Sequence, residues 1–289
     1  MDVPVREVIR PATVADAVAL LASRTDARPI AGGTDLMVQL RDGRRSAALL
    51  VDLGGLGLDG IRRTDAGFEV GALTSMDRLA ADPAIAAHFP ALAEAAGTVG
   101  AWPIQCRATL GGNLANASPA ADTAPALLVA DASFTLVSPS RTRRVAAADF
   151  FRGPGRSALE PGELLVSVAL PLGPTVGGAR TVERFVKVGP RREQVISVVS
   201  LAARAVVRAD GTLELLRVAL GSVAPTPVRA RRAEAVVAGR RPDAPARRAA
   251  VRELQRDIAP IDDVRAPAAY RRIVAAVLLD RFLEDVDRG

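Results

Sequence analysis

Thr109-Leu110-Gly111-Gly112-Asn113-Leu114-Ala115-Asn116-Ala117-Ser118-Pro119-Ala120-Ala121-Asp122 is the stretch on which the reading of this chain turns. Two adjacent glycines stand between a β-branched residue and an asparagine. Glycine admits positive φ and lets a ligand approach where a Cβ would block it. Successive backbone N–H groups in such a turn can form an anion-binding nest. Thr109, Asn113 and Ser118 supply side-chain hydrogen-bonding groups, and Asp122 supplies an acceptor for a hydroxyl or N–H.

An earlier stretch repeats that chemistry: Ile30-Ala31-Gly32-Gly33-Thr34-Asp35-Leu36. Two such turns can grip a diphosphate between them. Gly-Gly also makes plain turns, so neither pair alone decides the matter. Neither is the G-x-G-x-x-G of a dinucleotide fold or the G-x-x-x-x-G-K-[ST] of a P-loop.

The wording is more specific than the chemistry. Ala31-Gly32-Gly33-Thr34-Asp35-Leu36, then Ala108-Thr109-Leu110-Gly111-Gly112-Asn113, then Ser118-Pro119-Ala120-Ala121-Asp122 closely resemble the FAD-binding subunit of the xanthine dehydrogenase and carbon monoxide dehydrogenase family. These molybdenum hydroxylases are often built from separate large, medium and small subunits, and this chain looks like the medium one. The resemblance runs from about Val5 to about Phe282. It implies an α+β chain with a two-subdomain FAD-binding fold (PCMH-type) over residues 1–176, with subdomains at about 1–56 and 57–176. A C-terminal domain over 177–289 follows, with a three-stranded antiparallel sheet and helices.

The resemblance also implies non-covalent FAD held by Ala31, Gly32, Gly33, Thr34, Asp35, Leu36, Thr109, Gly111, Gly112, Asn113, Ser118 and Asp122. Leu165 matches a leucine set against the flavin, with ordinary core as the competing reading. Lys187 matches a lysine that reaches the FAD, and it is the only lysine in the chain. Molybdopterin and a [2Fe–2S] cluster are expected only in the large and small partner subunits, and NAD+ is an acceptor used in the family. Cys106 stands three positions before Thr109, and we read it as unattached to flavin; its local role is open.

Composition bounds the alternatives. A chain of 289 residues with 49% hydrophobic and 24% charged residues has the makeup of a soluble globular protein of more than one domain. Aromatics are only 3%, so the cores must rest on Ala, Val, Leu and Ile. One cysteine excludes an internal disulfide and fits a reducing compartment. No apolar leader and no run of about 18 apolar residues is present, so the expectation is a cytoplasmic protein without a membrane anchor. The net charge of +6 is concentrated between Arg229 and Arg272, where twelve arginines face six acids. Tyr270 is the only aromatic there, which argues against nucleic acid; the readings left are solvated helix faces and a face for an acidic partner. His88, the only histidine, has no triad or metal partner in sequence.

Along the chain, Thr13-Val14-Ala15-Asp16 fits a capping box ahead of a helix to about Ser23. A strand at Pro29-Ile30, a short helix from Leu36 and a buried strand within Ala48–Leu53 follow. Gly60–Gly71 reads as a hairpin, and Thr74-Ser75-Met76-Asp77 opens a helix that Pro83 interrupts. A helix from Pro90, a strand over Ser133–Val137 and another over Gly162–Val168 complete the first unit. Gly173–Gly178 reads as a linker. Beyond it, Val182–Val188, Ile196–Val207 and Leu213–Leu220 are strands, with Asp210-Gly211 as a hairpin turn. Helices follow at Ala230–Val237, Pro245–Ile258 and from Pro267, the last with Tyr270, Ile273, Val274, Val277, Leu278 and Phe282 on one face. The segment Asp257–Arg265 also matches the family but suggests no chemistry.

The function expected is electron transfer through FAD, from an iron–sulfur partner to an acceptor. The alternatives are a self-sufficient FAD oxidase or dehydrogenase, which would need its own catalytic base, and a nucleotide-binding or basic scaffold protein.

Overall fold

The structure, a computed structural model, describes residues 5–173, 177–191 and 193–289. Part of the expected linker, residues 174–176, with the 176/177 boundary, lies outside the described residues.

The chain opens with β1 (Glu7–Ile9), α1 (Val14–Ser23), β2 (Ala27–Ile30), α2 (Leu36–Arg41) and β3 (Leu49–Asp52). The strands form a parallel sheet in the order β1-β3-β2. The middle strand carries Leu49, Leu50 and Val51 in an unbroken buried run, as a parallel strand covered on both faces requires. Thr13 caps α1, its Oγ1 accepting from the Asp16 N–H at 3.1 Å and donating to the Asp16 carboxylate at 2.7 Å.

Next come β4 (Ile61–Thr64), β5 (Gly67–Gly71), α3 (Met76–Ala81), α4 (Pro83–His88), α5 (Pro90–Gly97), α6 (Trp102–Gln105), α7 (Leu110–Ala115) and α8 (Thr123–Val129). They are followed by β6 (Ser133–Val137), β7 (Thr142–Ala146), α9 (Ala147–Phe150), β8 (Phe151–Gly153), β9 (Arg156–Ser157) and β10 (Leu164–Pro171). The five-stranded antiparallel sheet runs β4-β5-β10-β6-β7, so the last strand of this unit sits at its centre. Pro83 separates α3 from α4 because Asp82 turns the chain and then accepts from the Ala84 and Ile85 N–H groups, each at 2.9 Å.

The remainder holds β11 (Arg180–Val188), β12 (Val199–Val207), β13 (Leu213–Gly221), β14 (Val228–Arg229), α10 (Arg231–Val237), α11 (Ala244–Asp257) and α12 (Ala268–Arg288). The sheet is β11-β12-β13-β14, one short strand more than the expected three. Both of its faces are covered. Phe185, Ala202 and Ala219 join the core of the preceding unit, while Leu201, Ala203 and Val218 pack towards α10, α11 and α12. The small alanines on the first face let α5 and α8 approach the strands closely.

The structure bears out half of the expected apolar face of α12: Phe282 is buried, and Val274 and Leu278 pack against the same core. Tyr270, Ile273 and Val277 are exposed; the buried face is Arg271, Ala275, Leu279, Phe282, Leu283 and Val286. One inner position is taken by Arg271, which is 1% exposed. Its guanidinium donates to Val198 O at 2.7 Å and Ser222 O at 2.9 Å, and pairs with Asp263 at 2.6 Å. Asp263 in turn is held well below the usual carboxylate range, chiefly by hydrogen bonds from Arg265. The family-like segment Asp257–Arg265 is thus structural. Asp257 accepts from the Arg232 and Ala233 N–H groups at the start of α10, and Asp262 accepts from the Ala268 N–H at the start of α12.

Among the described residues, no helix is long and apolar enough to cross a membrane, and no cluster of metal-ligating side chains occurs.

Candidate functional site

A cleft of about 1030 Å³ lies where the parallel sheet, the five-stranded unit and the β11–β12 connection meet. Its walls come from within residues 28–45, 99–122 and 155–165, with Leu53, Ala72, Leu73, Arg191, Gln194, Val195 and Ile196. Every residue expected at the site except Lys187 lines it: Ala31, Gly32, Gly33, Thr34, Asp35, Leu36, Thr109, Gly111, Gly112, Asn113, Ser118, Asp122 and Leu165.

The first glycine pair is an open loop between β2 and α2. Gly33 takes φ of +72°, the left-handed conformation glycine favours. Among the described residues, the N–H groups of Gly32, Gly33, Thr34 and Asp35 donate to no protein oxygen. Free amides beside a left-handed residue are the makings of an anion nest. Gly32 is glycine for a second reason: a Cβ there would lie 1.7 Å from the Arg107 carbonyl oxygen.

The second pair is built differently from the expected turn. Gly111 and Gly112 lie in the first turn of α7, neither with positive φ. The Leu110 N–H donates to Thr74 O at 2.9 Å and the Gly111 N–H to Ala72 O at 2.7 Å. The Gly112 N–H donates to Thr109 Oγ1 at 3.1 Å, and the Asn113 N–H to Thr109 O at 3.0 Å. A Cβ on Gly111 would lie 2.7 Å from Ala72 Cβ and 2.8 Å from Ala72 O. A Cβ on Gly112 would meet only Thr109 Oγ1, at 2.9 Å. Gly111 therefore serves the packing of α7 on the sheet, whereas Gly112 keeps the cleft wall low.

A polar relay joins the loops. Gln39 Nε2 donates to the Asp35 carboxylate and, at 3.1 Å, to Asn116 Oδ1; Thr123 Oγ1 donates to Asn113 Oδ1 at 2.6 Å, leaving that amide's N–H groups free. Gln39 and Asn116 both line the cleft and were not anticipated. Gln39 stands four residues after Asp35 on a helix, a spacing that places the two side by side. Arg45, Glu163, Val195 and Ile196 are further lining residues that no motif marked. Glu163 is tied off by Arg143 through two bonds of 2.8 and 2.7 Å, which foremost hold its carboxyl below the usual range.

Asp122 is buried, and its Oδ1 has no hydrogen-bond partner. Its other oxygen accepts from Lys187 Nζ at 2.6 Å, and Lys187 also donates to Thr98 O at 2.9 Å. Burial pushes the Asp122 carboxyl up to about 6, against the pull of Lys187. Lys187, reaching from β11, thus stands behind the cleft wall and meets it through Asp122. Leu165, 6% exposed, lies beside a break in the β10–β6 register between Leu165 and Ser167. Cys106 does not line the cleft; desolvation, then the Asp77 carboxylate, raises its thiol and disfavours the reactive thiolate. His88 is on the surface beside Phe68.

The arginine-rich stretch is largely paired within the chain: Arg229 with Glu234 and Asp131, Arg232 with Asp257, and Arg247 with Asp280. Free amides for a diphosphate, an orphaned buried acceptor and the size of the cleft fit an elongated dinucleotide such as FAD.

Comparisons with known proteins point the same way. Residues 4–173 match the family described as the FAD binding domain in molybdopterin dehydrogenase, and residues 184–286 match the CO dehydrogenase flavoprotein C-terminal domain. The chain is 34% identical over 277 residues to a carbon monoxide dehydrogenase medium chain from Afipia carboxidovorans, covering 95% of this chain and 94% of the relative. It is 34% identical over 267 residues to a putative xanthine dehydrogenase FAD-binding subunit from Escherichia coli, covering 91% and 89%. Among solved structures, a Cu,Mo-CO dehydrogenase chain superposes with a TM-score of 0.93 at 33% identity, covering 100% of this chain and 99% of that one. A quinoline 2-oxidoreductase chain from Pseudomonas putida superposes with 0.91 at 27% identity, covering 100% and 99%.

Proposed function

The chain belongs to the FAD-binding subunits of the carbon monoxide and xanthine dehydrogenase family, and from that premise we propose that it is the electron-transfer subunit of a multi-subunit molybdenum hydroxylase. Bound FAD supplies the redox chemistry: it takes up electrons and hands them on. In this reading the chain's own residues bind, orient and shield. The Gly32–Asp35 amides take the diphosphate, with Gly112 and Thr109 across from them. Asp122 Oδ1 accepts from an N–H or hydroxyl of the ligand, held in place by Lys187. Leu165 walls the flavin ring. We divide the chain at 176/177, with subdomains at about 1–56 and 57–176.

The observation that carries this reading is the free amide row at Gly32–Asp35 facing a cleft of about 1030 Å³. A plant-type [2Fe–2S] cluster requires four thiolates, and Cys106 is the only cysteine. Electrons therefore enter from a small iron–sulfur subunit, fed by a large molybdopterin subunit, in a cytoplasmic complex. The purified chain should hold one FAD and no iron or molybdenum. Adding partner subunits should restore substrate oxidation, more readily at low salt if the arginines between Arg229 and Arg272 guide docking. Substrate turnover by the chain alone would replace this reading with a self-sufficient flavoenzyme. Anaerobic titration with NADH addresses the acceptor: reduction of the flavin supports NAD+, and a flavin that only dithionite reduces removes it.

A further inference from the structure

The aromatic side chains of this protein are few, and all of them are placed. All seven phenylalanines belong to the hydrophobic cores or pack against them. Tyr270 lies on the outer face of α12, 48% exposed. Trp102 stands on α6, 66% exposed, between Ala101 and Pro103. Those two neighbours line the cleft and Trp102 does not. Every apolar side chain on the cleft wall is aliphatic. Leu164 and Leu165 form its buried side, 4% and 6% exposed. Val195 and Ile196 form a more open side, Ile196 being 62% exposed.

The open side is a defined surface. Gly189 has no Cβ because one would lie 2.8 Å from Val195 Cγ1, so Val195 is seated on the backbone at the end of β11. The neighbouring Gln194 N–H donates to Gly100 O at 3.2 Å, which ties this wall to the FAD-binding unit. Arg191 donates from Nε to Gln194 O at 3.1 Å and stiffens the same turn.

We propose that the flavin ring in this chain is held between aliphatic walls alone, with Val195 and Ile196 as its outer wall, and that the bound flavin therefore stays fluorescent. The inference rests on FAD occupying the cleft. Tyrosine and tryptophan in contact with an excited flavin quench it by electron transfer; leucine, isoleucine and valine do not. Free FAD is dimmed by its own adenine, and a dinucleotide stretched along the cleft escapes that contact. A ring without aromatic stacking also forgoes stacking affinity, so the diphosphate and Asp122 contacts carry more of the binding.

The test uses the purified FAD-loaded chain. FAD content, measured by absorbance after release, comes first: a chain that binds no FAD sinks the cofactor reading itself. With FAD bound, emission above that of free FAD is expected, and it should be unchanged in Trp102→Phe. A bound flavin darker than free FAD overturns the inference, as does a dark flavin that Trp102→Phe brightens. Val195→Tyr should quench most of the emission and tighten FAD roughly 2- to 10-fold, whereas Val195→Leu should do neither. Ile196→Tyr serves as the second probe of the same wall. If both tyrosine variants hold FAD and remain bright, these residues are not the ring's wall.

Discussion

Gly32-Gly33 and Gly111-Gly112 have the same spelling and opposite hydrogen-bond economies. The first pair leaves its amides open in a loop with one left-handed residue; the second has both of its amides engaged, Gly111 by Ala72 O and Gly112 by Thr109 Oγ1. The first is a candidate receptor for negative charge. The second is a splice that sets α7 against the sheet and keeps one wall of the cleft low at Gly112. In each pair, moreover, one glycine faces protein backbone and the other faces space or flexible side chains. A dipeptide motif therefore mixes two demands, packing and ligand access, that single substitutions can separate.

The strongest way to break that comparison is Gly32→Val. Its Cβ would fall 1.7 Å from the Arg107 carbonyl oxygen, so the loops must part. Overpacking against backbone costs about 3 kcal/mol or more, and a fall of several degrees in the melting temperature is expected. An unchanged melting curve would show that the two loops do not lock here.

Gly111→Ala and Gly112→Val sharpen the split inside the second pair. Gly111→Ala presses on Ala72 and should lower stability by about 1–3 kcal/mol. Gly112→Val should leave a folded protein by circular dichroism and remove its flavin. Full FAD content in the Gly112 variant would strike that residue from the site.

Thr109→Ala removes the oxygen that accepts from the Gly112 N–H. A loss of about 1 kcal/mol is expected from the missing cap, with Thr109→Ser restoring it. Equal denaturation midpoints for the Ala and Ser variants would mean that the cap contributes nothing.

A pH dependence is expected at Asp122. Its folded value of about 6 lies above its ordinary 3.8. Its contribution to stability is therefore full below about 3.8 and is lost as pH rises through about 6. Melting of the FAD-free protein across that window should show a slope that Asp122→Asn flattens. Parallel slopes for the two proteins would place the titration elsewhere.

Much of this was legible in the sequence where local chemistry and tertiary packing agree. Thr13 and Asp82 announce helix starts, Asp210-Gly211 announces a hairpin, and the apolar run before Gly54 announces a covered strand. The misreadings have particular causes. Periodicity assigns α12 an aliphatic face, but Arg271 satisfies its guanidinium on the carbonyls of Val198 and Ser222 and takes one inner position. Gly-Gly reads as a turn, yet Thr109 can cap a helix directly over it. Lys187 pairs with Asp122, which itself lines the cleft. Gln39 and the Val195–Ile196 wall carry no motif, because a lining residue is defined by what folds beside it.

The cleft takes its walls from segments as distant as Arg28 and Ile196, so whatever fills it fastens the N-terminal sheet to the β11–β12 connection. A ligand bound only by the folded form stabilises it by mass action, about 2.7 kcal/mol at a free concentration 100 times its dissociation constant. The lifetime of this subunit in a cell should accordingly follow flavin supply. Riboflavin starvation would expose it to proteases before any partner is missing, and FAD added to a limited-proteolysis assay should protect the segment that joins the two.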